Sequence, residues 1–83
     1  MATVKKAITS SAWTLVSAAA SGFMENQGPS VVKYRTSATL PAASDDMGHQ
    51  LDRTKSIGWS RQTAENIYAR TVSGSADLIV TEG

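Results

Sequence analysis

Apolar and polar residues alternate over short stretches of this chain, and β-branched and aromatic clusters are bounded by Gly, Pro, Asn or Asp. That is the pattern of strands and turns. In order, TVKKAIT (Thr3 to Thr9), AWTLVS (Ala12 to Ser17), GFMEN (Gly22 to Asn26), SVVKYRT (Ser30 to Thr36), GHQLD (Gly48 to Asp52), SIGWS (Ser56 to Ser60), NIYART (Asn66 to Thr71) and ADLIVTE (Ala76 to Glu82) make eight strand candidates. Their spacing of about eight to twelve residues predicts an all-β domain, an antiparallel β-sandwich or barrel of seven or eight short strands.

Period-2 alternation sorts the faces. Val32, Tyr34 and Thr36 fall on one side of their strand and Lys33 and Arg35 on the other. Ile57 and Trp59 share a face, as do Leu78 and Val80, and Ile67 with Ala69 lie opposite Tyr68 and Arg70. Turn chemistry places a turn at NQGPS (Asn26 to Ser30), where Asn tolerates a left-handed backbone and Pro blocks a ladder. SGS (Ser73 to Ser75) is expected to close a hairpin between the last two strands. Two segments also carry helical alternatives: SAWTLVSAAAS with its three alanines, and SRQTAENIYAR with i, i+4 pairs behind Ser60.

No internal repeat or linker divides the 83 residues, so one domain over 1–83 is expected, with residues 1–11 either an N-terminal arm or an edge strand. Of 34 hydrophobic residues 12 are Ala, which leaves 22 larger side chains for a core. Small domains bury little surface, and without cysteine neither a disulfide nor a thiolate metal site adds stability. Association with copies or partners is one remaining route.

A net charge of +1 supplies no large field toward nucleic acid or an anionic membrane. No apolar run reaches 18 residues, and the start MATVKKAITSS lacks a signal-peptide core, so synthesis in a cytoplasm is expected.

The most chemical-looking stretch is TLPAASDDMGHQLD, Thr39 to Asp52, which gathers Ser44, Asp45, Asp46 and the single histidine, His49. A nucleophile, base and acid in one loop lack the buried third group that orients a triad. Asp45, Asp46 and His49 also lack the alternating oxygens of a calcium loop and the further ligand of a zinc site. The stretch therefore reads as a solvent-facing connection, with Pro41 and Gly48 setting its ends and the two aspartates keeping it soluble. Lys33, Arg35, Arg53 and Lys55 near Trp59 and Tyr68 suggest a basic stripe, but acids are interspersed. A nucleic-acid role is the weaker alternative. No feature calls for an enzyme, a metal or a cofactor.

The order AWTLVS, SGFMENQGPSVVKYRT, LPAASDDMGHQL, a Trp-containing strand, NIYART and ADLIVTEG resembles small virion structural proteins of tailed bacteriophages, which run from a W-T-L-V-S type strand through L-P-A and G-H-x-L segments to V-Y-A-R, here Ile67-Tyr68-Ala69-Arg70, and a V-T-E ending. The resemblance implies an all-β virion protein that binds other virion proteins, without catalytic residues. A capsid decoration or cement protein is the expected role, with the major capsid protein as partner and a homo-oligomer, a trimer by preference. A tail, baseplate or fibre-attachment component is the alternative. Interface residues are expected among Trp13, Tyr34, Arg35, Trp59, Arg61, Tyr68 and Arg70, since aromatics and arginines dominate interfaces; Phe23 is a further candidate anchor.

Overall fold

The computed structural model describes residues 3–83 and contains eight strands: β1 (Thr3–Thr9), β2 (Thr14–Ser17), β3 (Ser21–Pro29), β4 (Val32–Ser37), β5 (His49–Leu51), β6 (Ser56–Ser60), β7 (Asn66–Thr71) and β8 (Ser75–Glu82). Each expected strand is present. Two four-stranded antiparallel sheets, ordered β1-β8-β3-β6 and β2-β7-β4-β5, pack face to face. The barrel alternative is thereby corrected, because the sheets remain separate and each keeps two edges.

The pairing has a simple rule. β1 pairs with β8, β2 with β7, β3 with β6 and β4 with β5. The chain is thus one long antiparallel ribbon bent between β4 and β5, with successive segments dealt to alternate sheets. Rolling the ribbon adds the β3–β8 and β4–β7 pairs that complete each sheet. This is the connectivity of a jelly roll.

The segment 3–9 is therefore an edge strand, paired with β8 along its length; residues 1 and 2 of the expected domain lie outside those described. Both helical alternatives give way to strands and loops, since no helix occurs among the described residues. It follows that no helix among them is long and apolar enough to cross a membrane.

Two turn expectations need correction. SGS does not close a hairpin within a sheet, because β7 and β8 belong to different sheets. The residues between them carry the chain across the sandwich, held where the Thr71 hydroxyl donates to the Gly74 carbonyl at 2.7 Å, with Gly74 at φ +70°. At NQGPS the strand does not stop: β3 continues to Pro29, which pairs with Ala76 after a register shift between Asn26 and Pro29. The Asn-Gln-Gly-Pro sequence makes a bulge rather than a chain reversal, with Gly28 at φ +76°.

Alternation then fills the interior. Ile8, Val16, Met24, Val32, Leu51, Ile67, Ala69, Ala76, Leu78 and Val80 form the core, and Tyr34, Ile57 and Trp59 pack against it from its margin. Val80, Met24 and Ile57 lie side by side across the first sheet. Asn26 is wholly buried among these residues, its side-chain amide donating to the Ser30 and Leu51 carbonyls at 2.9 Å each.

Candidate functional site

Two places gather the residues that the sequence singles out. One is the outer face of the β2-β7-β4-β5 sheet. Register sets Tyr68 of β7 beside Leu15 of β2 and Arg35 of β4, and Arg70 beside Lys33. Trp13, just before β2, is buried here rather than in the sandwich, between guanidinium groups whose centres lie 5.6 Å from its ring in both Arg35 and Arg70. Cation–π attraction and ring burial reinforce one another in this arrangement.

The loop 38–48 closes over that cluster. Trp13 donates its indole N–H to the Asp45 carbonyl at 2.6 Å, Arg70 donates to the Ala43 carbonyl at 2.6 Å, and Arg35 meets the Asp45 carboxylate at 2.8 Å. Lys33 donates to the Asp46 carbonyl at 3.1 Å. Gly48 fits because a Cβ there would come within 2.9 Å of the Tyr34 carbonyl and 3.2 Å of the Trp13 ring. The loop is solvent-facing, as expected, and its inner side is in addition strapped down on the sheet.

Of the loop's polar groups, the Asp45 carboxylate is held most closely. The Arg35 guanidinium, and after it the Met47 backbone N–H, both donating to the Asp45 carboxylate, hold the Asp45 carboxyl below its usual range. His49 opens β5 with its ring 5.5 Å from that of Tyr34. Among the described residues no group of three or more His, Cys, Asp or Glu side chains is placed to hold a metal ion. Of the expected basic stripe, Lys33 and Arg35 engage Asp46 and Asp45, on a different part of the surface from Arg53 and Lys55 beside β6.

The second place is an open side of the sandwich. A cleft of about 580 Å³ lies between β6, an edge of one sheet, and β4 and β5 at the edge of the other. Met24, Ile57, Trp59 and Ile67 supply apolar lining, and Tyr34, Arg35, Met47, His49 and Arg61 stand around it. Trp59 is fixed by its indole N–H, which donates to the Ala19 carbonyl at 3.1 Å. Arg61 lines this cleft, and its Nη1 is buried without a hydrogen-bond partner among the described residues.

Of the expected interface residues, Trp13, Arg35, Tyr68 and Arg70 come together on the strapped face, where Trp13 and Tyr68 are buried. Tyr34, Trp59 and Arg61 meet at the cleft, which Arg35 also reaches. Phe23 stands apart on the outer face of the other sheet, 56% exposed beside Gly58. Met24, Met47 and Ile67 were not singled out by the sequence as site residues; inward parity was the available signal for Met24 and Ile67, Met47 in the loop carried none, and nothing local announces that β4, β6 and β7 converge. No family model matches this chain, and no curated protein or solved structure matches it either.

Proposed function

We propose that this chain is a virion structural protein of a tailed bacteriophage, acting as a capsid decoration or cement protein that binds neighbouring coat subunits and stabilises their lattice. The observation that carries this is the β6 edge. SIGWS contains no charged residue, its neighbour Phe23 is exposed on one face, and Ile57 and Trp59 line an open cleft on the other. Solvent-facing edges are ordinarily blunted by charge, as β1 is by Lys5 and Lys6. An uncharged edge with apolar groups on both faces is suited to burial against another protein.

The resemblance of the strand segments to small phage virion proteins gives the class of partner. Jelly rolls serve in viral capsids and in lectins, so the fold alone does not choose between them. In a lattice each copy needs only modest affinity, since many equivalent sites and association of copies, a trimer by preference, raise occupancy. The polar loop supports a structural role as well, because the Asp45 carboxylate is engaged by Arg35 and by the Met47 N–H in holding the loop to the sheet.

The test is co-sedimentation of the purified protein with capsids lacking it. Saturation at a fixed copy number per coat subunit supports decoration; binding to tails or to DNA in place of shells overturns the head assignment.

A further inference from the structure

The phase of the β3–β6 ladder shows which backbone groups of β6 are free. Asn26 N–H donates to the Lys55 carbonyl at 3.0 Å and Arg61 N–H to the Ala20 carbonyl at 2.9 Å, one pair at each end of β6. Bonded and non-bonded pairs alternate in an antiparallel ladder, so Ile57 and Trp59 bond to Met24 and Gly22 in the observed register. The N–H and C=O groups of Ser56, Gly58 and Ser60 therefore point away from β3, on the side where no strand follows among the described residues.

Side chains of the other parity face the cleft. Ile57, Trp59 and Arg61 all line it, and the Arg61 Nη1 has no acceptor among the described residues. A strand laid along β6 would extend the sheet and set its own inward residues over the cleft mouth. Residues 53–64, RTKSIGWSRQTA, carry three cations and no acid.

That charge selects the occupant. A second copy pairing its β6 antiparallel about Gly58 would set Lys55 against the other copy's Arg61, a like-charge pair. The β1 edge of a second copy would bring Lys5 and Lys6 toward the same cations. We infer that β6 and the adjoining cleft accept, by antiparallel strand addition, an extended acidic segment of a different protein, with apolar side chains opposite Ile57 and Trp59 and a carboxylate on Arg61. Main-chain bonds supply affinity in this mode and the alternate side chains supply specificity. The inference rests on the assembly reading for the class of partner and adds the surface and the chemistry of the bound segment.

Two capped peptides, TETVTVT and its lysine counterpart TKTVTVT, test it by titration into the isotope-labelled protein followed by NMR. The expected result is that TETVTVT shifts the amide signals of Ser56, Gly58 and Ser60 and the Trp59 indole signal, and binds about tenfold more tightly than TKTVTVT. Gly58→Pro removes one outward N–H without touching a β3 bond and should abolish binding, whereas Gly58→Ala should retain it, its Cβ meeting only ordinary contacts at 3.5 and 3.9 Å. Arg61→Glu should reverse the preference between the peptides. No binding by the parent protein, equal binding of both peptides, or full binding by Gly58→Pro would each overturn the inference. Capsid co-sedimentation separates the two proposals: Gly58→Pro decorating shells as well as the parent sinks this surface alone, and a parent protein that ignores shells sinks the assembly reading alone.

Discussion

The Asn26 side chain of β3 donates its amide to the carbonyl of Leu51 in β5 at 2.9 Å, joining the two sheets by a hydrogen bond inside the core. The same amide reaches the Ser30 carbonyl, and its oxygen accepts the Gly28 N–H at 2.7 Å. One buried side chain thus satisfies three backbone groups around the β3 bulge.

Asn26→Ala should accordingly be among the most damaging single changes. It leaves buried donors and acceptors unpaired, each costing about 1–3 kcal/mol, so a loss of about 3 kcal/mol is expected. For a domain of this size that is a fall of about 12 °C or more in melting temperature. Thermal denaturation followed by circular dichroism checks it; a fall under about 3 °C would mean that the bulge re-forms without the asparagine.

Asn26 also marks where local sequence stops being informative. Its alternation and its Gly-Pro neighbours gave a turn, because the chemistry that ends a strand and the chemistry that bulges one are alike over five residues. The strands themselves were legible, since Val32, Tyr34, Leu78 and Val80 carry a period that any half-buried sheet imposes. Which strands pair was not. β1 joins β8 across most of the chain length, and SGS looks like a hairpin whether its flanking strands share a sheet or face each other. The cleft was hidden for the same reason: Trp59 and Arg61 were singled out, but their meeting with Tyr34 and His49 depends on how the ribbon rolls.

Trp13 should control the loop. Trp13→Ala removes the ring between Arg35 and Arg70 and the bond to the Asp45 carbonyl, and large-to-small changes of a buried aromatic cost about 3–5 kcal/mol. The milder Trp13→Phe keeps a ring but loses the N–H, at about 1 kcal/mol. Cleavage by a protease specific for the bond before aspartate should be slow in the parent and faster in Trp13→Phe at Asp45 and Asp46. Equal rates would show that the strap does not depend on the indole.

Thr54 offers a gain. It sits in the β5–β6 turn, where Lys55 N–H donates to the Asp52 carbonyl at 3.0 Å, and its φ of +69° places a β-branched residue in the left-handed region. Only glycine adopts that conformation freely, and the steric cost for other residues is about 1–2 kcal/mol. Thr54→Gly retains the N–H that donates to the Asn26 carbonyl at 2.7 Å. Its own greater chain entropy offsets part of the relief, so a stabilisation of about 0.5–1 kcal/mol is expected, read as a shift in denaturant midpoint at constant slope. A destabilised Thr54→Gly would show that the threonine side chain contributes more than its backbone costs.

Acid should loosen the strap in a defined direction. Arg35 holds the Asp45 carboxyl below the ordinary value of 3.8, so the folded state binds this proton less readily than the unfolded chain does. The stabilisation is therefore fully present above about pH 5, where the unfolded carboxyl is ionised, and is lost as pH falls through the lowered folded value. Asp45→Asn keeps an oxygen for the Met47 N–H while removing the charge facing Arg35. At pH 7 the variant should be less stable than the parent, and the gap should narrow steadily as pH falls through the lowered folded value. Added salt at pH 7 should narrow the gap too, because the carboxylate is half exposed and its pairing is screened. A gap that stays constant from pH 7 to pH 2 would assign the effect to the geometry of the loop instead of to the Arg35–Asp45 charge pair.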